Sequence, residues 1–228
     1  MLQTNKKVRA SALRRAAALP IIAGSIFICS FHPREANKSA PVKSENKITL
    51  MVDAGHGGND EGCHSGTLTE KDLSLKVAKR LQQLAPDYNI EVSMTRSTDQ
   101  PLSLEERVAM TNQLQPDDFL SIHIDDQPGK ETCNGTFGIA INSKNPKADD
   151  SKRLAYAIYK HAARPEWDQK NAFTEKSPLV LRSTASAAAI LELGDIKNKK
   201  QMQHLQDDTK LTELCTHILE GVVEAHKK

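Results

Sequence analysis

From Lys47 onward, apolar residues recur in two alternating rhythms. Ile48–Asp53 (ITLMVD), Ile90–Thr95 (IEVSMT), Phe119–Ile124 (FLSIHI), Phe137–Ile141 (FGIAI), Leu179–Leu181 (LVL) and Ala188–Leu193 (AAILEL) are short apolar runs of strand length. Between them the spacing becomes helical. Leu73, Val77, Leu81 and Leu84 fall on one face, and the run opens on Thr69-Glu70-Lys71-Asp72, a capping-box pattern. Ser103 to Glu106 repeats that pattern ahead of Leu104 and Val108. Leu154 with Ile158 marks a helix over residues 151–161, and Leu211, Leu214, Ile218 and Val222 mark a last one. Strands alternating with helices predict an α/β fold: a single domain, with a mostly parallel central sheet of about six strands flanked by helices.

The segment before Lys47 follows neither rhythm. Lys6 to Arg15 is cationic, and Ala16 to Phe31 is an uncharged, mostly apolar run of sixteen residues broken by Pro20. That reads as a signal peptide or membrane anchor over residues 1–31, with the run short for a spanning helix, which needs about 20 apolar residues. Cys29 follows Ile28, where lipoprotein processing wants a small residue, so lipidation is not expected. Residues 32–46 carry two prolines and no hydrophobic period and are expected to form a flexible linker to a catalytic domain over residues 47–228. Charge divides at the same boundary. Residues 1–46 hold eight basic and two acidic residues, a balance of +6 within a chain total of +2, so the rest carries −4. The basicity therefore belongs to targeting, and no nucleic-acid partner is expected.

The chemistry lies at the ends of the predicted strands. In open α/β sheets the carboxyl ends of the strands open into the crevice where ligands bind. His56 follows the first strand within Asp53-Ala54-Gly55-His56-Gly57-Gly58, whose glycines let the backbone turn sharply. A nucleotide-binding loop is the rival reading, but G-x-G-x-x-G needs glycine where Asp60 stands. Glu70 sits in the first turn of the next helix, where the helix dipole favours an ionised carboxylate. His123 closes the third strand. Two imidazoles and a carboxylate make the three-ligand set of a catalytic zinc with a fourth position open. Singly, each also has an ordinary structural reading: a surface histidine, or a dipole partner.

Several blocks in order resemble the zinc-dependent N-acetylmuramoyl-L-alanine amidases of the amidase type 3 family. They are VDAGHGGND (Val52–Asp60), TEKDLSLKVAKRL (Thr69–Leu81), TRSTDQPLSLEER (Thr95–Arg107), SIHID (Ser121–Asp125) and LVLRS with AILELGDIKN (Leu179–Asn198). The resemblance runs from about Lys47 to Val223. It implies one Zn2+ per chain, held by His56, Glu70 and His123, and a catalytic glutamate at Glu192. The residues agree on Glu192, since a carboxylate interrupting an apolar strand is costly without a cation or a proton-transfer role; an outward-facing position is the alternative. Three positions depart from the family pattern. Asp125 replaces an asparagine, Asp195 a phenylalanine and Ala187 a proline, and all three are expected to line the substrate groove more than the metal. Arg96, Asp99 and Arg107 match a family pattern and are expected to form an ion-pair clasp between strand and helix. The other histidines are expected at the solvated surface, with His64 the one stand-in ligand.

The resemblance further implies a peptidoglycan hydrolase. Its bond would be the amide between the lactyl group of N-acetylmuramic acid and L-Ala of the stem peptide, with a zinc-activated water as nucleophile and Glu192 as base, then acid. Peptidoglycan is the expected partner, a membrane tether through the N-terminal segment is possible, and no regulatory protein can be read from the residues. The expected location is exported, in the periplasm or cell envelope. Two alternatives stay open: a zinc peptidase or amidase acting on small soluble wall fragments, and a non-catalytic wall-binding module. Export would oxidise thiols, and Cys63 and Cys133 follow the two histidine-bearing strands, so they could pair if those strands are neighbours.

Overall fold

In the computed structural model, the described residues are 47–125, 137–163 and 173–227. In chain order they form β1 (Ile48–Ala54), β2 (His64–Ser65), β3 (Leu68–Thr69), α1 (Glu70–Leu84), β4 (Ile90–Met94), α2 (Leu104–Leu114) and β5 (Asp118–Asp125). There follow β6 (Phe137–Ile141), α3 (Ala148–Ala162), β7 (Phe173–Glu175), α4 (Leu179–Ser183), β8 (Ala187–Asp195), α5 (Lys199–Gln206) and α6 (Asp208–Ala225). Six strands make one sheet in the order β4-β1-β5-β8-β6-β7, and β2 with β3 forms a separate hairpin. β4, β1, β5 and β8 run parallel, while β6 lies antiparallel to β8 and carries β7 parallel to itself.

Alternation along the strands divides the core unequally. Leu50, Val52, Leu120, Ile122, Leu191 and Leu193 point to the face covered by α1, α3 and α6, where the larger cluster forms with Leu73, Val77, Leu154, Ile158, Leu214 and Ile218. Met51, Phe119, Ala188 and Ile190 point to the other face, against Val180 and Leu181 of α4 and Val108 of α2. Burial on both faces explains why β1, β5 and β8 read as near-continuous apolar runs. Among the described residues, the second face is covered by the short α4 and the eleven-residue α2. The polar side chains of the inner strands sit on that second side, because Asp53, Ser121, His123 and Glu192 share the alternation of Met51, Phe119 and Ile190.

The helix starts follow their capping residues. Ser103 forms a complete capping box with Glu106, whereas Thr69 accepts from Asp72 N without the reciprocal bond. The third predicted helix extends to Ala148–Ala162. One expectation is corrected: Leu179–Leu181 is not a strand but the start of α4. Pro178 is its N-cap, its carbonyl accepting from Leu181 N and Arg182 N, and Val180 and Leu181 fill the second core from a helical turn. The sixth strand is Phe173–Glu175 instead.

Candidate metal centre

His56, Glu70 and His123 come from three different elements, and one ligand atom from each lies within 4.8 Å of the others. β1 and β5 pair directly, with Ala54 opposite Ile122, so the residues after β1 and near the end of β5 meet at the carboxyl end of the sheet. Glu70 opens α1, which packs on both strands. Its Oε1 lies 2.9 Å from His123 Nδ1 and accepts from Ile124 N, while its Oε2 accepts from Cys63 N and lies 3.1 Å from His56 Nε2. The two imidazole rings meet edge to face, with centroids 5.1 Å apart.

Backbone geometry gives this arrangement its precision. His56 itself has φ 59, a left-handed conformation uncommon for a residue with a side chain, and Gly57 and Gly58 follow at positive φ. A two-way pair of bonds between Gly57 and Asp60 closes the turn. Asp60 Oδ2 then lies 2.8 Å from His56 Nδ1, fixing the ring from behind as second partners of metal-binding histidines do. Close approach is built in on either side. A Cβ on Gly62 would come within 2.5 Å of Glu70 Oε2, and one on Gly55 within 2.6 Å of His123 Cε1.

The loop after β1 is held by two arginines. Arg96 donates to the carbonyls of Ala54, Gly55 and Lys71, and Arg107 donates to those of Ala54 and His56. Arg107 also forms a buried ion pair with Asp53, whose carboxylate accepts from Thr95 Oγ1 and Ser121 Oγ as well. The expected clasp of Arg96, Asp99 and Arg107 is therefore rearranged: Asp99 pairs with Lys71, and Arg107 pairs with Asp53.

Electrostatics reflect a cluster built for a cation. Burial alone would raise the Glu70 carboxyl, but hydrogen bonds and charge from His123 and His56 override it and hold it well below the usual carboxylate range. Burial works against charge on His56, yet Glu70 and Asp60 outweigh it and raise this imidazole to about 8. A carboxylate clamped between two imidazoles, one of which is drawn toward the protonated form, is an anionic pocket that a divalent ion would complete. Two nitrogens and one carboxylate oxygen converging on one point fit zinc.

Glu192 lies outside this donor group but beside it. β8 pairs with β5 so that Glu192 is opposite His123, and in a parallel pair the two side chains leave the same face. The Glu192 side chain is 17% exposed, and its Oε1 accepts from Lys176 Nζ at 2.8 Å. Asp195 and Ala187 do not line the groove as expected. Ala187 is buried at the start of β8, the far end of the strand from Glu192. Asp195 is fully buried, its Oδ1 accepts from Lys197 N, and its Oδ2 has no hydrogen-bond partner among the described residues. His64 is exposed in the β2–β3 hairpin and is not part of the donor group. Three other histidines are hydrogen-bonded to carboxylates rather than simply solvated: His161 to Glu224, His217 to Glu220 and His226 to Asp118. Cys133 lies outside the described residues, so its pairing with Cys63 does too. Asp60 and Lys176 were missed in the sequence. Asp60 stands four residues after His56 on a turn of glycines, a spacing that places its carboxylate near the ring; nothing local marks Lys176, whose partner is 16 residues away and two strands across.

A family model described as N-acetylmuramoyl-L-alanine amidase matches residues 50–224. The endolysin of Bacillus phage SPP1 is 30% identical over 177 residues, covering 77% of this chain and 65% of the endolysin. The probable cell wall amidase LytH of Staphylococcus epidermidis is 33% identical over 172 residues, covering 74% of this chain and 54% of LytH. The chain thus spans less than two thirds of the length of either relative. Among solved structures, the catalytic domain of CwlV, an N-acetylmuramoyl-L-alanine amidase from Bacillus (Paenibacillus) polymyxa var. colistinus, superposes with a TM-score of 0.69 at 26% identity. The match covers 78% of this chain and 97% of that domain.

Proposed function

The chain belongs to the N-acetylmuramoyl-L-alanine amidase family, and on that premise we propose that it is a peptidoglycan amidase. Its substrate bond is the amide joining the lactyl group of N-acetylmuramic acid to L-Ala of the stem peptide. One zinc ion is held by His56, Glu70 and His123, and Glu192 carries the proton. The observation that supports this most is the convergence of those three donors within 4.8 Å at the carboxyl end of the sheet, with Glu192 next to His123 on the same face.

When bound, a zinc ion supplies a Lewis acid for the scissile carbonyl and lowers the pKa of a bound water toward about 7. The protein's own residues do the rest. Glu70, ionised among its donors, offsets the charge of the ion and aligns both imidazoles. Asp60 holds His56 Nδ1, so that Nε2 faces the metal position. Glu192 takes a proton from the attacking water on its carboxylate and returns it to the nitrogen of L-Ala as the C–N bond breaks, leaving a free lactyl carboxylate and a free amine. Oε1 is occupied by Lys176, which leaves Oε2 for that proton.

Residues 47–228 constitute the catalytic domain in this reading. Residues 1–31 are a signal peptide or membrane anchor and 32–46 a tether, which places the enzyme in the periplasm or cell envelope, where its substrate is. No helix among the described residues is long and apolar enough to cross a membrane. The test is digestion of isolated peptidoglycan by the purified chain, with and without a chelator, followed by mass analysis. Peptides with N-terminal alanine and peptide-free glycan, lost on chelation, are expected; cleavage inside the stem peptide or between sugars would overturn the assignment.

A further inference from the structure

Lys176 is fixed at both ends. Its backbone N donates to Ile141 O and its carbonyl accepts from Nδ2 of the buried Asn142, while the preceding Glu175 accepts from Ser143 N and Oγ. The loop after the edge strand β7 is therefore tied to the loop after β6. From that anchor the ammonium reaches across the sheet to Glu192 Oε1, at 2.8 Å. Alternation puts Lys176 and Glu192 on the same face of the sheet. The β6 residues between them on that face are Gly138, the register partner of Glu192, and Ala140. Both are small and buried, so the lysine stem crosses β6 over residues that present at most a methyl group.

The pair is partly exposed, with Lys176 at 47% and Glu192 at 17%, and pairs of that kind contribute little to stability. A backbone anchored by hydrogen bonds to the neighbouring loop and a reach across β6 for so small a gain point to a different role. We propose that Lys176 is a positioning residue for the amidase reaction: by engaging Oε1 it fixes the rotation of the Glu192 carboxylate, so that Oε2 meets the attacking water. This rests on the proposed role of Glu192. A carboxylate with three rotatable bonds otherwise samples several rotamers, and misplacing a catalytic group by about 1 Å can cost about a hundredfold in rate.

The test uses the full chain loaded with zinc and muramoyl-peptide substrate, comparing wild type with Lys176→Met, Lys176→Gln, Lys176→Arg and Glu192→Gln. Lys176→Met and Lys176→Gln should lower kcat by about ten- to hundredfold with KM within about twofold. Zinc content should be unchanged and the melting temperature within about 2 °C. Lys176→Arg should restore kcat to within about threefold of wild type, because a guanidinium donates to the same oxygen. The carboxyl 13C resonance of Glu192, assigned by its absence in Glu192→Gln, should move in the uncharged variants and return in the arginine variant. A kcat within twofold of wild type in both uncharged variants, or a loss confined to KM, overturns the proposal. If wild type releases no stem peptide, or Glu192→Gln is as active as wild type, the reading of Glu192 falls first and takes Lys176 with it.

Discussion

Replacing Arg107 by methionine removes the cation that ties three parts of the site together. Arg107 is 4% exposed and Asp53 2%, so the substitution strands a carboxylate in the interior with Thr95 Oγ1, at 2.6 Å, and Ser121 Oγ, at 2.7 Å, as its remaining side-chain donors among the described residues. It also strips a donor from the carbonyls of Ala54 and His56, at 2.8 and 2.7 Å. Breaking a buried pair by removing one partner costs about 3–5 kcal/mol. Total stabilities are about 5–15 kcal/mol, so the variant should fold but marginally. At about 2–4 °C per kcal/mol for a domain of this size, the melting temperature should fall by about 6–20 °C. Because the His56 carbonyl is one of the lost partners and His56 sits at φ 59, zinc affinity should fall as well. Thermal melts by circular dichroism, with zinc and with chelator, give both numbers. The double variant with Asp53→Asn supplies the cycle: removing both charges should cost clearly less than the two single losses together. A melting temperature within about 2 °C of wild type for Arg107→Met, or strictly additive losses, would refute the reasoning.

Three further outcomes are expected. Zinc at a hundredfold excess over its Kd should stabilise by about 2.7 kcal/mol and raise the melting temperature by about 5–10 °C, reversed by chelation; an unchanged melt would remove the metal from His56, Glu70 and His123. Zinc affinity should weaken as pH falls below about 8, because the raised His56 must lose a proton to bind. The same shift has the opposite sign for the metal-free protein: His56 contributes stability that is full below its ordinary 6.5 and is lost as pH rises through about 8. Calorimetric titration from about pH 6 to about pH 9 that finds a flat affinity would contradict both. Ser103→Ala should cost about 1 kcal/mol, read as a drop of about 2–4 °C, because it breaks the capping box whose bonds run from Glu106 N to Ser103 Oγ and from Ser103 N to Glu106 Oε2.

What the sequence showed depended on the range of the signal. Buried strands and amphipathic helices are local patterns, so β1, β4, β5, β6, β8, α1, α2, α3 and α6 were legible. β7 was not, because Phe-Thr-Glu is three residues on a sheet edge with no alternation to detect. α4 imitated a strand for the same reason, since Leu-Val-Leu is apolar in any conformation and only Pro178 and the second core decide it. α5 carries lysines and glutamines along most of its length and buries little beyond Gln201, Met202 and Leu205. Within the site, the meeting of His56, Glu70 and His123 was readable because each stands at or near the end of its element. Their supports were not: the partners of Arg107, Arg96 and Lys176 lie tens of residues away or across strands. Asp195 was misplaced into the groove because the register shifts at the end of β8, where Gly194 has φ 87, and the side chain of Asp195 is buried.

The central claim is that a metal-binding triad and a separate proton carrier share this crevice, and Glu192→Gln addresses it most directly. The substitution keeps the size of the side chain and its bond to Lys176 while removing the proton-accepting oxygen. Zinc stoichiometry by mass spectrometry and hydrolysis of muramoyl-peptide substrate should be measured on the same preparation. One zinc per chain with a rate lowered about 10²–10⁴-fold is the predicted result. Full zinc content with a rate within about threefold of wild type, less than about 1 kcal/mol on the barrier, would contradict it.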